Sequence, residues 1–151
     1  MTGMPADHRD ARNTALSALL QQMAQADVRQ DIWLLGLVEL QELHALLRGA
    51  AVVLQPSLFE GWSTTVQDAR ALGRPVICSN LAVHREQAPD AFGFIDPNNA
   101  ETLAALLASF SDFPPGPDHA KETVALEQER AFGANHGLRL WSELERITAR
   151  G

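Results

Sequence analysis

Ala51-Val52-Val53-Leu54-Gln55-Pro56 is a short apolar run closed by a proline, and Glu60-Gly61-Trp62-Ser63-Thr64-Thr65-Val66-Gln67-Asp68 follows it. Ala69-Arg70-Ala71-Leu72-Gly73 then reads as the end of a helix, with glycine as its stop. The apolar run reads as a buried strand. One acid, Glu60, therefore stands where a strand hands over to a helix, and a second, Asp68, lies one turn inside that helix. In open α/β sheets this crevice, at the carboxyl ends of the strands, is where ligands bind. A helix N-terminus there offers free N–H groups and a partial positive charge, which suits phosphate.

The same alternation extends in both directions. Leu16, Leu19, Leu20 and Met23 recur at helical spacing, which predicts an amphipathic helix over residues 8–27. Asp31-Ile32-Trp33-Leu34-Leu35 reads as a buried strand stopped by Gly36. Leu40, Leu43, Leu46 and Leu47 give the next helix, ending near Gly49. Thr64 with Gln67 three residues on makes a capping box, which puts Asp68 in the first turn of its helix. Residues 75–79 form the next strand, and loop 80–91 holds one helical turn at Val83-His84-Arg85-Glu86-Gln87. Phe92-Gly93-Phe94-Ile95 is a short strand. Asn98 caps a further helix with Glu101 at its third position and Leu103, Leu106, Leu107 and Phe110 inside. Ser111-Asp112-Phe113-Pro114-Pro115-Gly116-Pro117 has linker character. One or two helices follow, with Leu138, Trp141, Leu144 and Ile147 on an apolar face. Strands alternating with helices imply an α/β, Rossmann-like parallel sheet with flanking helices.

A chain of 151 residues is long enough for one domain with a real core. The net charge of −7 argues against a general nucleic-acid or anionic-membrane surface, so no nucleic-acid partner is expected. It leaves room for a small anion held by backbone amides. The lone cysteine, Cys78, forms no internal disulfide, and its apolar surroundings suggest a buried thiol in a reducing compartment. No apolar run approaches a membrane span, and the polar start shows no secretory signal.

Glu60 and Asp68 form a carboxylate pair that invites a glycosidase reading. On one helix, eight residues would separate their Cα atoms by about 12 Å. Hydrolytic pairs stand roughly 5–10 Å apart between carboxyl groups, so nothing in the spacing requires hydrolysis. Acids that accept hydrogen bonds from sugar hydroxyls fit better and need no shifted pKa. Two plainer roles stay open: Asp68 as a first-turn acid facing the helix dipole, and Glu60 as a solvated loop acid. No Asp-x-Asp, no His/Cys cluster of metal spacing, no Gly-x-Gly-x-x-Gly and no Walker loop occurs. A triad of Ser57 or Ser63 with His84 and an acid lacks the Gly-x-Ser-x-Gly elbow, and His84 reads as a surface residue. Trp33 and Trp141 read as core. Trp62, beside Glu60, walls a pocket or packs.

From Pro56 through Asp68 to Val76, the chain resembles a retaining glycosyltransferase of the large family 4 type, the group 1 glycosyltransferases with the GT-B fold. The mark of that family is two acids separated by seven residues. Leu34-Leu35-Gly36-Leu37-Val38 is similar to the strand and loop beside the nucleobase. Leu43-His44-Ala45-Leu46-Leu47-Arg48-Gly49-Ala50 resembles the helix after it, and Gly93-Phe94-Ile95-Asp96-Pro97 the last strand. The likeness covers residues 2–110. It implies that Glu60, as the catalytic-site acid, holds hydroxyls of the donor sugar. Gly61, Trp62, Ser63, Thr64 and Thr65 would face sugar and diphosphate, and Asp68 would bind the ribose. Backbone at Gly36, Leu37 and Val38 would meet the base. The resemblance implies a nucleotide-sugar partner, no metal and no cofactor. Asp68 departs from the family's usual Glu by one methylene.

The resemblance also implies that this chain begins after the family's Arg/Lys diphosphate loop, with Thr2-Gly3 matching the end of its second strand, and that the acceptor-binding N-terminal domain is missing. The expected organisation is a partial nucleotide-sugar-binding domain over 1–110, a linker at 111–117, and C-terminal helices over 118–151 packed on the same domain. The expected function is donor binding for sugar transfer with retention, inactive in isolation, with the missing domain supplied in cis or in trans. A partner-dependent half-subunit or non-catalytic binding module is an alternative, as is a GT-B epimerase or phosphorylase. The expected location is cytoplasmic, peripheral at the inner membrane face through the acceptor. Missing strands would leave an open sheet edge, marginal stability and self-association.

Overall fold

The computed structural model describes residues 15–110 and 114–148. The sequence-expected helix start near residue 8 and the linker residues 111–113 lie outside them. The chain divides into two compact units, Met1–Leu43 and His44–Gly151.

In the first unit, α1 (Ala15–Gln25) ends in a reverse turn closed by two bonds. Asp27 N–H donates to Ala24 O at 3.4 Å and Val28 N–H to Met23 O at 3.1 Å. Asp27 takes the left-handed conformation (φ 54°) that this turn requires, a place usually held by glycine. The strand expected at 31–35 does not form. Residues 32–35 have no regular structure, and a single bridge falls at Gly36, whose φ is +67°. Trp33, read from sequence as core, is 72% exposed, and Leu34, Leu35 and Leu37 are exposed too. Apolar composition favours a buried strand, but a strand exists only where another strand offers a ladder of hydrogen bonds.

α2 (Leu40–Gly49) begins in the first unit and ends in the second. Its start is half a capping box: the Glu42 carboxylate accepts from Glu39 N–H at 3.1 Å.

The second unit is built on a parallel sheet of three strands, β1 (Val53–Gln55), β2 (Val76–Ser79) and β3 (Gly93–Ile95), in that spatial order. Val53 pairs with Val76, and Ile77 with Gly93. The helices α3 (Thr64–Ala71) and α4 (Ala82–Gln87) lie in the crossovers, and α5 (Ala100–Ala108) follows β3. All of β2 is buried, as the central strand of a covered sheet must be. The predicted α/β class with a parallel sheet and flanking helices is therefore what forms. Gly93 lies against α5, where a Cβ would meet Leu106 Cδ1 at 2.7 Å.

α3 ends as α1 does, but with glycine at the turn. Gly73 (φ +63°) donates to Arg70 O at 2.9 Å, and Arg74 N–H donates to Ala69 O at 2.8 Å. The Asn98 cap is corrected to Asn99, whose side chain accepts from Thr102 N–H. Asn98 is committed elsewhere, its N–H donating to Asp96 Oδ1 at 2.9 Å. Leu107, expected inside, is 40% exposed.

α6 (His119–Thr148) is one helix of 30 residues. Its first turns are fastened: Glu122 takes a two-pronged bond from Arg48 (2.9 and 2.8 Å), and Glu129 accepts from Arg70 at 3.1 Å. The Arg48 pairing holds the Glu122 carboxyl below its ordinary pKa. Residues 130–148 are exposed throughout. Trp141, read as core, is 63% exposed, and Leu138, Leu144 and Ile147 are exposed with it. Among the described residues no helix is long and apolar enough to cross a membrane.

Candidate functional site

Parallel pairing sets the last residues of the strands, Gln55, Ser79 and Ile95, along one edge of the sheet. The loop after Gln55 carries Glu60, and its carboxylate is held there. Gln55 Nε2 donates to Glu60 Oε1 at 2.8 Å, and Ser57 Oγ donates to the same oxygen at 3.1 Å. Gln55 Nε2 also reaches Ser57 Oγ at 3.0 Å, which closes a triangle. Oε2 has no partner among the described residues. Glu60 is half-buried, so it is a fixed acceptor rather than a freely solvated one.

Three residues later comes the cap of α3, which is Ser63 rather than the expected Thr64. Ser63 is extended (φ −95°, ψ 106°), and its side chain accepts from Val66 N–H. Gln67 is not the partner in a capping box; its Oε1 accepts from Trp62 Nε1 at 2.9 Å. With Ser63 as cap, Asp68 falls beyond the first turn, which carries no acid. The helix-dipole reading of Asp68 is thereby corrected, because that interaction is confined to the terminal turn. Asp68 is instead partly exposed, with Oδ2 3.7 Å from His44 Nε2 on α2.

The main chain of Ser63 is gripped from outside the helix. Gln87, at the end of α4, accepts from Ser63 N–H through Oε1 and donates to Ser63 O through Nε2, both at 3.0 Å. Both residues are buried. Ser63 N–H and Val66 N–H are thus satisfied. Thr64 and Thr65 N–H have no acceptor in their own helix and none among the described residues. Gln87 is itself anchored, its carbonyl accepting from Arg70, whose guanidinium pairs with Glu129 and Asp90.

His84, expected at the surface, is fully buried. Its Nδ1 lies 2.9 Å from Ser79 O and 3.2 Å from Ser79 Oγ. A carbonyl only accepts, so Nδ1 carries the proton, and buried Nε2 has no partner among the described residues. The partner is neither Ser57 nor Ser63, so the hydrolytic triad does not form. Cys78 is buried as expected, and desolvation pushes its thiol up to about 11.

Gly36, Leu37 and Val38 belong to the first unit. Leu37 is 74% exposed, and Gly36 is left-handed. Gly61 and Trp62 are exposed in the loop between Glu60 and Ser63. A cavity of about 440 Å³ opens elsewhere in the second unit, lined by Arg70, Arg74, Val76, Ala88, Val124 and Ala125; it touches neither Glu60 nor Ser63.

Sequence reasoning missed Gln55, His44 and Gln87, and weighed Ser57 only as a triad nucleophile, not as a donor to Glu60. Gln55 had a signal, a long polar side chain at the end of an apolar strand. Gln87 had a fainter one: three residues after His84, it shares a face of the short helix α4.

A family model described as "Glycosyl transferases group 1" matches residues 14–125. The O-antigen chain mannosyltransferase B of Escherichia coli is 32% identical over 97 residues, 62% of this chain and 25% of that protein. The MMP alpha-(1->4)-mannosyltransferase of Mycolicibacterium hassiacum is 35% identical over 77 residues, 49% of this chain and 19% of that protein. The chain thus spans about a quarter or less of the curated relatives it matches. No solved structure matches it significantly.

Proposed function

Because the chain belongs to the group 1 glycosyl transferases, we propose that it is the donor-binding part of a retaining glycosyltransferase that uses a nucleotide sugar. The observation that carries this reading is the fixed Glu60 carboxylate three residues before Ser63, the cap of a helix with open amides. Glu60 Oε2 accepts from hydroxyls of the sugar. Thr64 and Thr65 N–H, at the positive end of α3, meet the diphosphate. Asp68 accepts from the ribose. Gly61 and Trp62 line the sugar side.

In this reading the protein neutralises the leaving diphosphate with amides and needs no metal or cofactor. Both curated relatives are named mannosyltransferases, which makes a nucleoside diphosphate mannose the first donor to try. The acceptor binds residues outside this stretch, in cis or on a partner chain. The 151 residues by themselves bind donor weakly and do not turn it over. A cytoplasmic location accords with the single buried thiol, and contact with a membrane would come through the acceptor.

The test is calorimetric titration with GDP-mannose, UDP-glucose and the bare diphosphates GDP and UDP. Glu60→Ala should weaken the accepted nucleotide sugar by about 1–3 kcal/mol, the cost of leaving hydroxyls unpaired. It should leave the bare nucleotide within about twofold, less than 0.5 kcal/mol. Equal losses for both ligands would remove Glu60 from the sugar.

A further inference from the structure

We infer that Gln87 is a positioning residue for diphosphate recognition, acting through the main chain of Ser63. The inference rests on the donor-site reading and adds which amides the ligand meets. Ser63 has two main-chain polar groups, and Gln87 holds both, at 3.0 Å each. An amide side chain is suited to this, because its oxygen and nitrogen match an N–H and a C=O on one residue. The contact is buried, with Gln87 5% and Ser63 2% exposed, so no water substitutes cheaply for either bond.

The consequence for a ligand is specific. Ser63 N–H faces Gln87 and is withdrawn from the crevice. Ser63 O also receives the first intrahelical bond, from Gln67 N–H at 3.1 Å. Cap conformation, helix start and the direction of the next two amides are therefore fixed by one side chain from another helix. The anchor runs further, through Arg70 to Asp90 and Glu129. The diphosphate meets Thr64 and Thr65, and Gln87 never touches it.

The experiment is amide-resolved NMR of the full chain, with GDP and UDP as probes and guanosine and uridine as controls. In the unaltered chain, diphosphate should shift the Thr64 and Thr65 amide signals and leave Ser63 nearly still. Gln87→Met keeps the bulk and removes both bonds. It should expose the Ser63 amide to exchange and weaken diphosphate affinity by about tenfold, with nucleoside affinity within about twofold. That split separates positioning from general loosening, which would weaken both. Ser63 shifting as far as Thr64 in the unaltered chain, a reading that needs no variant to fold, overturns the inference. So does undiminished diphosphate binding in Gln87→Met. Failure of the unaltered chain to bind any probe sinks the donor-site reading, and this inference falls with it.

Discussion

Residues 63–88 and residues 130–148 are both rich in apolar side chains at regular spacing, and they end in opposite states. In the first stretch Val66, Ala69, Ile77, Cys78, Ser79, His84 and Ala88 are all at 0% exposure. In the second every residue is exposed, Leu138, Trp141 and Leu144 included. Apolar periodicity says which face of an element would be buried. It does not say that anything stands opposite. Residues 63–88 are covered because α3, β2 and α4 pack on one another and because β1, β3 and the first turns of α6 close on them. The far half of α6 has no such neighbour among the described residues.

The sharpest test of this contrast is truncation at matched positions. Ile77→Ala removes a fully buried side chain from the central strand and should cost about 2–5 kcal/mol in urea denaturation. Leu144→Ala, on the open face of α6, should cost about 0.5 kcal/mol or less. Comparable losses would mean that the end of α6 is packed in solution.

Glycines give a contrast of sign. Gly73 is left-handed, and a Cβ there would meet the Lys121 main chain at 2.8 Å, so Gly73→Ala should destabilise by about 1–3 kcal/mol. Gly137 lies within α6 with open space around it, so Gly137→Ala should stabilise by about 0.5–1 kcal/mol. Thermal unfolding of the two variants should move the midpoint in opposite directions.

At the start of α3, Ser63→Ala should cost about 1 kcal/mol and Thr64→Ala much less, because Ser63 supplies the cap. The smallest effect is expected at Asp68. Asp68→Asn should change stability by no more than about 0.5 kcal/mol, since the acid lies beyond the first turn. A ribose role would appear as lost affinity for a ribonucleotide and little loss for its 2′-deoxy counterpart.

The strands of the sheet, α3 and its glycine stop were legible because each rests on local patterns: an apolar run, a turn residue, a break. The details that failed were set by distant partners. Ser63, Thr64 and Thr65 are all able to cap, and Gln87 decides among them by holding Ser63 extended. Asn98 and Asn99 are equally suited, but Asp96 takes the first. His84 looked like loop because six residues give too little periodicity to reveal a buried face. Residues 31–35 have strand composition but no partner strand among the described residues, which no local pattern reports. At the candidate site the Glu60–Asp68 spacing was legible, whereas the hold of Gln55 and Ser57 on Glu60 became visible only once β1 and its loop were folded.

The most direct test of the central claim is a crystal structure of the chain with a nucleoside diphosphate sugar at saturating concentration. The account predicts diphosphate oxygens within hydrogen-bonding distance of Thr64 and Thr65 N–H, sugar hydroxyls on Glu60 and ribose hydroxyls on Asp68. A ligand seated elsewhere, with Glu60 still bonded only to Gln55 and Ser57, would contradict it.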